Sequence, residues 1–131
     1  MRIIAMARYC MVATGHVAAN GESSPVNGLD ISKTYSLPYQ TLRKALQQLI
    51  RANILRGKRG SYGGYMLERP ANEITMLEII EAAQGPVEEG VDTTELTQDT
   101  PITMNAEQVY FEAVAKVKDI LLKAKLSKMI S

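Results

Sequence analysis

The spacing of apolar residues predicts five helices, over about residues 2–20, 26–35, 38–51, 75–83 and 104–129. The first ends at Asn20-Gly21, since glycine readily terminates a helix. The second is short and weak, with Leu29 and Ile31 as expected core residues. The fourth begins with Thr75 and Glu78 at capping-box spacing, just ahead of an apolar run.

The helix over residues 38–51 has the clearest two-sided pattern. Ser36 or a neighbour can cap it, and Pro38 suits its first turn, where a missing N–H costs nothing. One stripe is apolar and predicts burial: Leu42, Ala45, Leu46, Leu49 and Ile50. The opposite stripe contains no acid: Gln40, Arg43, Lys44, Gln47 and Arg51. Solvated helix faces usually mix both signs of charge, so this face favours contact with phosphates and base edges over mere solvation.

A glycine-rich stretch, Arg59 to Tyr65, follows that helix. Strand-like residues flank it, namely Ile54 to Arg56 before it and Tyr65 to Leu67 after it. Arg69-Pro70 ends the pattern, because proline cannot donate to a strand ladder. The stretch therefore predicts a hairpin with a basic tip, the wing of a winged helix-turn-helix. A nucleotide-phosphate cradle is disfavoured, because no Gly-Lys-Ser/Thr follows the glycines.

The last helix carries an apolar seam spaced by four and three residues: Tyr110, Val114, Val117, Leu121 and Ala124. Its other faces are partly apolar too, which predicts a symmetric dimer rather than packing on its own domain alone. Residues 86–103 are acidic and polar and predict a loop. The expected organisation is a winged-helix domain over 1–85, an acidic loop over 86–103 and a dimerisation helix over 104–131. The fold class is mainly α with a small β-hairpin (α+β).

Charge is unevenly distributed along the 131 residues. The net charge is only +1. Residues 1–70 nevertheless hold ten Lys and Arg against three acids, whereas residues 71–131 hold five Lys against eleven acids. The basic half suits a polyanion such as double-stranded DNA, although ordinary solvated surface charge is the alternative. No apolar run reaches the length of a membrane span, and a single cysteine fits a reducing compartment, so we expect a cytoplasmic protein.

No catalytic constellation is visible in the sequence. Cys10 lies on an apolar helix face, where it is expected to behave as a small buried hydrophobe rather than a redox switch. His16 is the only histidine, and neither residue has partners at metal-ligand spacing. We therefore predict no enzyme activity and no cofactor.

The chain resembles the Rrf-type winged-helix transcription regulators of bacteria, the group that includes IscR, NsrR and CymR. The resemblance covers nearly the whole chain. It includes the opening Met1-Arg2-Ile3 with Arg8-Tyr9, and Leu37 to Leu42 at the start of the expected recognition helix. Its most specific part runs from Arg59 to Pro70 and continues into Glu73-Ile74-Thr75.

The resemblance implies a homodimer on an inverted-repeat operator and a regulator, most often a repressor. By position it implies that two groups of residues contact DNA: Tyr39, Gln40, Thr41, Arg43 and Lys44 on the recognition helix, and Lys58, Arg59, Ser61 and Tyr62 on the wing. Many members hold an iron–sulfur cluster on three cysteines after the Gly85-Pro86 position, but residues 86–105 here contain none. Three alternatives for the signal are then open: an unknown small molecule, a partner protein, or no signal at all. The alternative function is a protein-interaction or sensor module that keeps the dimer without operator binding.

Overall fold

The computed structural model describes residues 2–87 and 98–131. Its helices are α1 (Ala5–Asn20), α2 (Gly28–Tyr35), α3 (Tyr39–Arg51), α4 (Met76–Gln84), α5 (Pro101–Lys123) and α6 (Leu126–Met129). The strands are β1 (Leu55–Lys58) and β2 (Gly64–Leu67), and a 3-10 helix spans Ala71–Glu73. This mainly helical chain with one antiparallel hairpin confirms the predicted fold class.

The core lies where α1, α3 and α4 pack together. Helix α3 contributes its predicted apolar stripe, of which Leu42, Ala45, Leu46 and Leu49 are fully buried. Ile31 of α2 is also fully buried, as predicted, but Leu29 is exposed. The expectation for Leu29 was wrong because α2 has only eight residues and turns a single narrow face inward.

The hairpin has a fixed register, with Leu55 opposite Leu67 and Lys58 opposite Gly64. Strand β2 is also paired on its other side, because Val26 forms an antiparallel bridge with Tyr65. The loop that leads into α2 thus pairs with β2 on the side away from β1 and adds a third, short segment to the wing. The strands begin and end close to the predicted positions.

The C-terminal helix differs from the prediction at both ends. Helix α5 begins at Pro101 rather than Met104, because Thr100 forms a capping box with Thr103 and proline occupies the first turn. It ends at Lys123, since the next residues are extended and pair with the segment before α4. There the N–H of Met76 donates to Ala124 O (2.9 Å) and the N–H of Leu126 donates to Ile74 O (2.8 Å).

The end of the chain therefore returns to the winged-helix domain instead of continuing the long helix. Leu126 is buried there. The predicted single element over 104–131 was wrong in this respect. Backbone pairing with the Ile74–Thr75 segment outweighs the local helix propensity of an Ala-Lys-rich sequence.

The predicted acidic loop lies mostly outside the described residues, since 88–97 are among those not described. Of the predicted loop, residues 101–103 are helical and belong to α5. No helix within 2–87 or 98–131 is both long enough and apolar enough to cross a membrane.

Candidate DNA-binding surface

Helix α3 presents a polar face opposite its buried stripe. Gln40, Arg43 and Lys44 are all exposed, and Gln47 and Arg51 extend the same face. The first turn of α3 contains no acidic residue. The face can therefore offer cations and amides to a ligand without carboxylates that would repel phosphate.

The turn before α3 is built differently from the prediction. Ser36 does not cap α3; it ends α2 in the left-handed conformation, with φ 52° and ψ 46°. The N-cap of α3 is Pro38, which makes no side-chain capping bond. The turn is instead closed by Ser32, whose hydroxyl donates to Leu37 O at 2.5 Å. Serine suits both ends of a helix-to-helix turn, so its presence alone did not identify which helix it serves.

The wing tip carries the second group of predicted residues. Lys58, Arg59 and Ser61 are exposed, and Tyr62 is 93% exposed. Within residues 2–87 and 98–131, none of these four side chains forms a hydrogen bond or an ion pair. They are free to contact a ligand that lies against the tip.

Glycine is required at the point where β2 meets the loop before α2. A Cβ built on Gly64 would lie 2.4 Å from Val26 O, far inside any tolerable contact. Gly63 is similarly confined by the backbone carbonyl of Lys58. The glycine-rich stretch thus lets the wing approach α2 closely, rather than cradling a nucleotide phosphate.

The base of the wing packs against the start of α3 through two tyrosines. The rings of Tyr65 and Tyr39 converge on Gly28, where an added Cβ would lie 3.4 and 3.6 Å from their Cε2 atoms. Burial raises the pKa of Tyr65; nearby Tyr39 raises it further, and the charge of Arg43 opposes the shift. This interaction places Tyr65 beside the α3 face. The base of the wing thus lies next to the start of α3, and the exposed face of α3 together with the wing tip is called the α3–wing surface below.

The nine predicted DNA-contact residues divide into two groups. Seven are exposed on this surface: Gln40, Arg43, Lys44, Lys58, Arg59, Ser61 and Tyr62. Tyr39 and Thr41 are half-buried. Tyr39 packs within the domain, so its structural role is visible while a DNA contact stays a prediction.

Sequence reasoning missed the role of Arg69. Its guanidinium donates to three acceptors: Asn53 O at 3.2 Å, Glu73 O at 3.1 Å and the Glu78 carboxylate at 2.6 Å. Glu78 also completes the predicted capping box with Thr75. Arg69 thereby joins the turn after α3 to the start of α4 and fixes the base of the wing. In the sequence, the one signal for this role was the Arg69-Pro70 pair, which is part of the family resemblance.

The predicted dimer seam on α5 faces largely inward. Val114 is buried in its own chain. Val117, Leu121 and Ala124 are half-buried, and only Tyr110 is exposed. A four-three spacing identifies a packed face but not the partner, and here α5 packs on α4. That the seam residues form a dimer interface remains a prediction. Val114 is poorly placed for such an interface because it is buried in its own chain.

The exposed apolar residues of α5 flank that inward face. Ile102, Val109 and Ile120 lie on one side at seven- and eleven-residue spacing, and are 76%, 66% and 68% exposed. Met104, Phe111 and Leu122 lie on the other side, also exposed. Helix α5 is therefore apolar and exposed on both flanks of its inward face.

Comparison with known proteins identifies the family. The model of the Rrf2 family, described as an iron-dependent transcriptional regulator, matches residues 4–131. The chain is 35% identical over 94 residues to the HTH-type transcriptional regulator IscR of Cronobacter sakazakii, covering 72% of this chain and 56% of that protein. This chain thus matches little more than half the length of that relative.

Solved structures share the fold. CymR, the global cysteine regulator of B. subtilis, superposes with a TM-score of 0.84 at 24% identity, covering 99% of this chain and 96% of that one. A transcriptional regulator from Listeria innocua superposes with a TM-score of 0.81 at 25% identity, covering 99% and 86% of the two chains. These likenesses confirm the winged-helix architecture.

The family description names iron, but the cysteine content of this chain does not fit an iron–sulfur cluster. An iron–sulfur cluster needs about four ligands, thiolates above all. Cys10 is the only cysteine in the sequence. It is fully buried, as predicted, and burial raises the pKa of its thiol to about 11, which disfavours the thiolate. Within 2–87 and 98–131, no three His, Cys, Asp or Glu side chains come together at a metal-binding spacing.

The family match extends over nearly all of the chain, and the fold agrees with it. The family consists of transcription regulators rather than enzymes, as predicted. The chain therefore belongs to the Rrf2 family of winged-helix transcription regulators.

Proposed function

We propose that this protein is a sequence-specific DNA-binding regulator that acts as a homodimer on an inverted-repeat operator, as a repressor in the cytoplasm. The observation that carries the proposal is the set of exposed residues on the α3–wing surface. It exposes Arg43, Lys44 and Arg59 and contains no acid on its helical face. Such a surface suits a duplex, whose phosphates release counterions when cations replace them.

The roles within the surface follow from geometry. An α-helix fits the major groove, where arginine can form paired hydrogen bonds with guanine and glutamine with adenine. Arg43 and Gln40, one turn apart near the start of α3, are the candidates for base contact. Lys44, Lys58 and Arg59 are assigned to phosphates, and the wing tip with Tyr62 to the adjacent backbone or minor groove.

The dimer is supported by the exposed apolar flanks of α5. From residue 101 to 113 no side chain is buried, although this part of the helix contains Ile102, Met104 and Val109. A second copy related by a twofold axis would cover one such flank with the same flank of its own helix. Two winged helices related by that axis read two half-sites in opposite directions, which gives an inverted repeat.

Salt-dependent binding tests the proposal. The affinity for a labelled DNA duplex should fall steeply with added salt, with a logarithmic slope of about −0.9 for each phosphate contacted. Lys44→Gln and Arg59→Gln should each reduce the slope by about one. Lys123→Gln, which removes an exposed lysine on α5, is the matched control and should leave the slope unchanged.

A slope near zero for the unmodified protein would contradict DNA binding. It would favour the alternative, an interaction or sensor module that keeps the winged-helix fold.

A further inference from the structure

A cavity of about 380 Å³ lies between the end of α4, the middle of α5 and the N-terminal segment. Its walls are largely apolar, with Pro86 and Val87 on one side and Val114 and Val117 of α5 on the other. Small-molecule sites typically occupy about 300–1,000 Å³ and combine apolar walls with few polar groups. The cavity has room for an organic ligand of two fused or linked rings.

Among the lining residues that the structure describes, Arg2 is the one charged side chain. No described ion pair neutralises it within 2–87 and 98–131. The segment is nevertheless held in place, because the Gln84 amide donates to Arg2 O at 2.7 Å and accepts from the N–H of Ile4 at 3.1 Å. An exposed guanidinium beside apolar walls favours a ligand with an anionic head group, since such charge-assisted hydrogen bonds are among the strongest.

We propose that this cavity binds a small amphiphilic organic anion, with its apolar body against Val114 and Val117 and its carboxylate or sulfonate at Arg2. The cavity lies apart from the exposed face of α3, so the ligand does not compete with DNA. It is joined to the recognition helix through Gln84 and α1. Helix α1 begins directly after Ile4 and packs on α3, where the Cys10 thiol approaches Ala45 O at 3.9 Å.

Anilinonaphthalene sulfonate, an apolar aromatic anion, is the probe that tests the site. Titration of the full chain should give saturable fluorescence enhancement with about one probe bound per chain. Arg2→Gln should weaken the probe about tenfold, because a charge-assisted bond is lost. Arg8→Gln, a matched change of an exposed arginine on α1, should leave the affinity unchanged. The neutral N-phenylnaphthylamine should bind Arg2→Gln and the unmodified protein with equal affinity.

A second pair of variants tests the walls. Val117→Phe fills the cavity and should abolish saturable binding, whereas Lys116→Phe on the exposed side of the same helix should retain it. Equal probe affinity in Arg2→Gln and Arg8→Gln would overturn the site. Undiminished binding in Val117→Phe would overturn it too. Salt-dependent DNA binding, measured on the same samples, tests the proposed function separately and does not depend on this outcome.

Discussion

Tyr65 and Val26 exchange two backbone hydrogen bonds, with N–O distances of 2.8 Å from Tyr65 to Val26 and 2.9 Å from Val26 to Tyr65. This pair fixes the returning strand of the wing against the loop that leads into α2. The wing therefore does not depend on a two-stranded hairpin alone, which would be marginally stable in water. The contact positions the wing against the segment before α2, and α2 in turn packs on α3.

Gly64→Ala should break that contact. The new Cβ would lie 2.4 Å from Val26 O, so the strands must separate, and we expect a loss of about 2 kcal/mol or more of unfolding free energy. Gly57→Ala is the matched control in the other strand, because its Cβ would meet only Ile50 Cδ1 at 3.9 Å. Thermal and urea unfolding of both variants measure the difference. Similar stability of the two would mean that the close approach at Gly64 is not essential.

Arg69→Ala should loosen the junction between wing and α4. Three acceptors lose their donor together, and the Glu78 pair is only about one-third exposed, so we expect a cost of about 1–2 kcal/mol. Arg69→Lys should recover little of the lost stability, because an ammonium lacks the planar guanidinium fork that reaches separate acceptors. Lys123→Ala breaks the exposed pair with Asp119 and should cost less than about 0.5 kcal/mol. If Arg69→Lys were as stable as the unmodified protein in denaturant unfolding, the role of Arg69 in joining the three acceptors would be refuted.

Arg43→Ala and Lys58→Ala should separate base reading from phosphate binding. Loss of a paired contact to guanine costs about 1–3 kcal/mol at one base pair, so Arg43→Ala should relax the preference there. Lys58→Ala should weaken specific and random DNA about equally. Parallel titrations with both DNAs decide between the roles, and Lys128→Ala on α6 serves as the control. Equal losses on both DNAs for the Arg43 variant would remove its assignment as a base reader.

Val109→Asp combined with Ile120→Asp should dissociate the dimer without unfolding the chain. Both side chains are more than half exposed, so charge there penalises only an interface between copies. Val114→Asp, by contrast, should destabilise each chain because that residue is buried internally. Light scattering gives the mass and circular dichroism the fold. A monomer mass for the unmodified protein would contradict the proposed dimer.

The helix and hairpin pattern could be predicted because periodicity reports burial directly. The stripe from Leu42 to Leu49 and the Thr75 capping box are examples. The long-range pairings could not be predicted in this way. Val26 pairs with Tyr65 and Thr75 with Lys125 through backbone atoms, which every residue carries and no side-chain pattern marks.

The candidate site was predictable in composition but not in arrangement. The absence of acids from the α3 face is a property of the sequence, and exposure of Arg43 and Lys44 agrees with it. Tyr39 is half-buried and its ring lies near that of Tyr65, 26 positions later in the sequence, a proximity that no local pattern marks. Likewise, the α5 seam was visible as apolar spacing, but its partner, α4, emerged only from the fold.

The central claim is that the α3–wing surface reads a specific duplex as one half of a twofold pair. Selection of bound sequences from a random DNA pool tests it most directly. The selected sequences should converge on an inverted repeat whose half-sites lie about one helical turn apart or a multiple of it. The Arg43→Ala variant should lose preference at one symmetric pair of positions. A selected pool without enrichment, or with a single unrepeated motif, would contradict the claim.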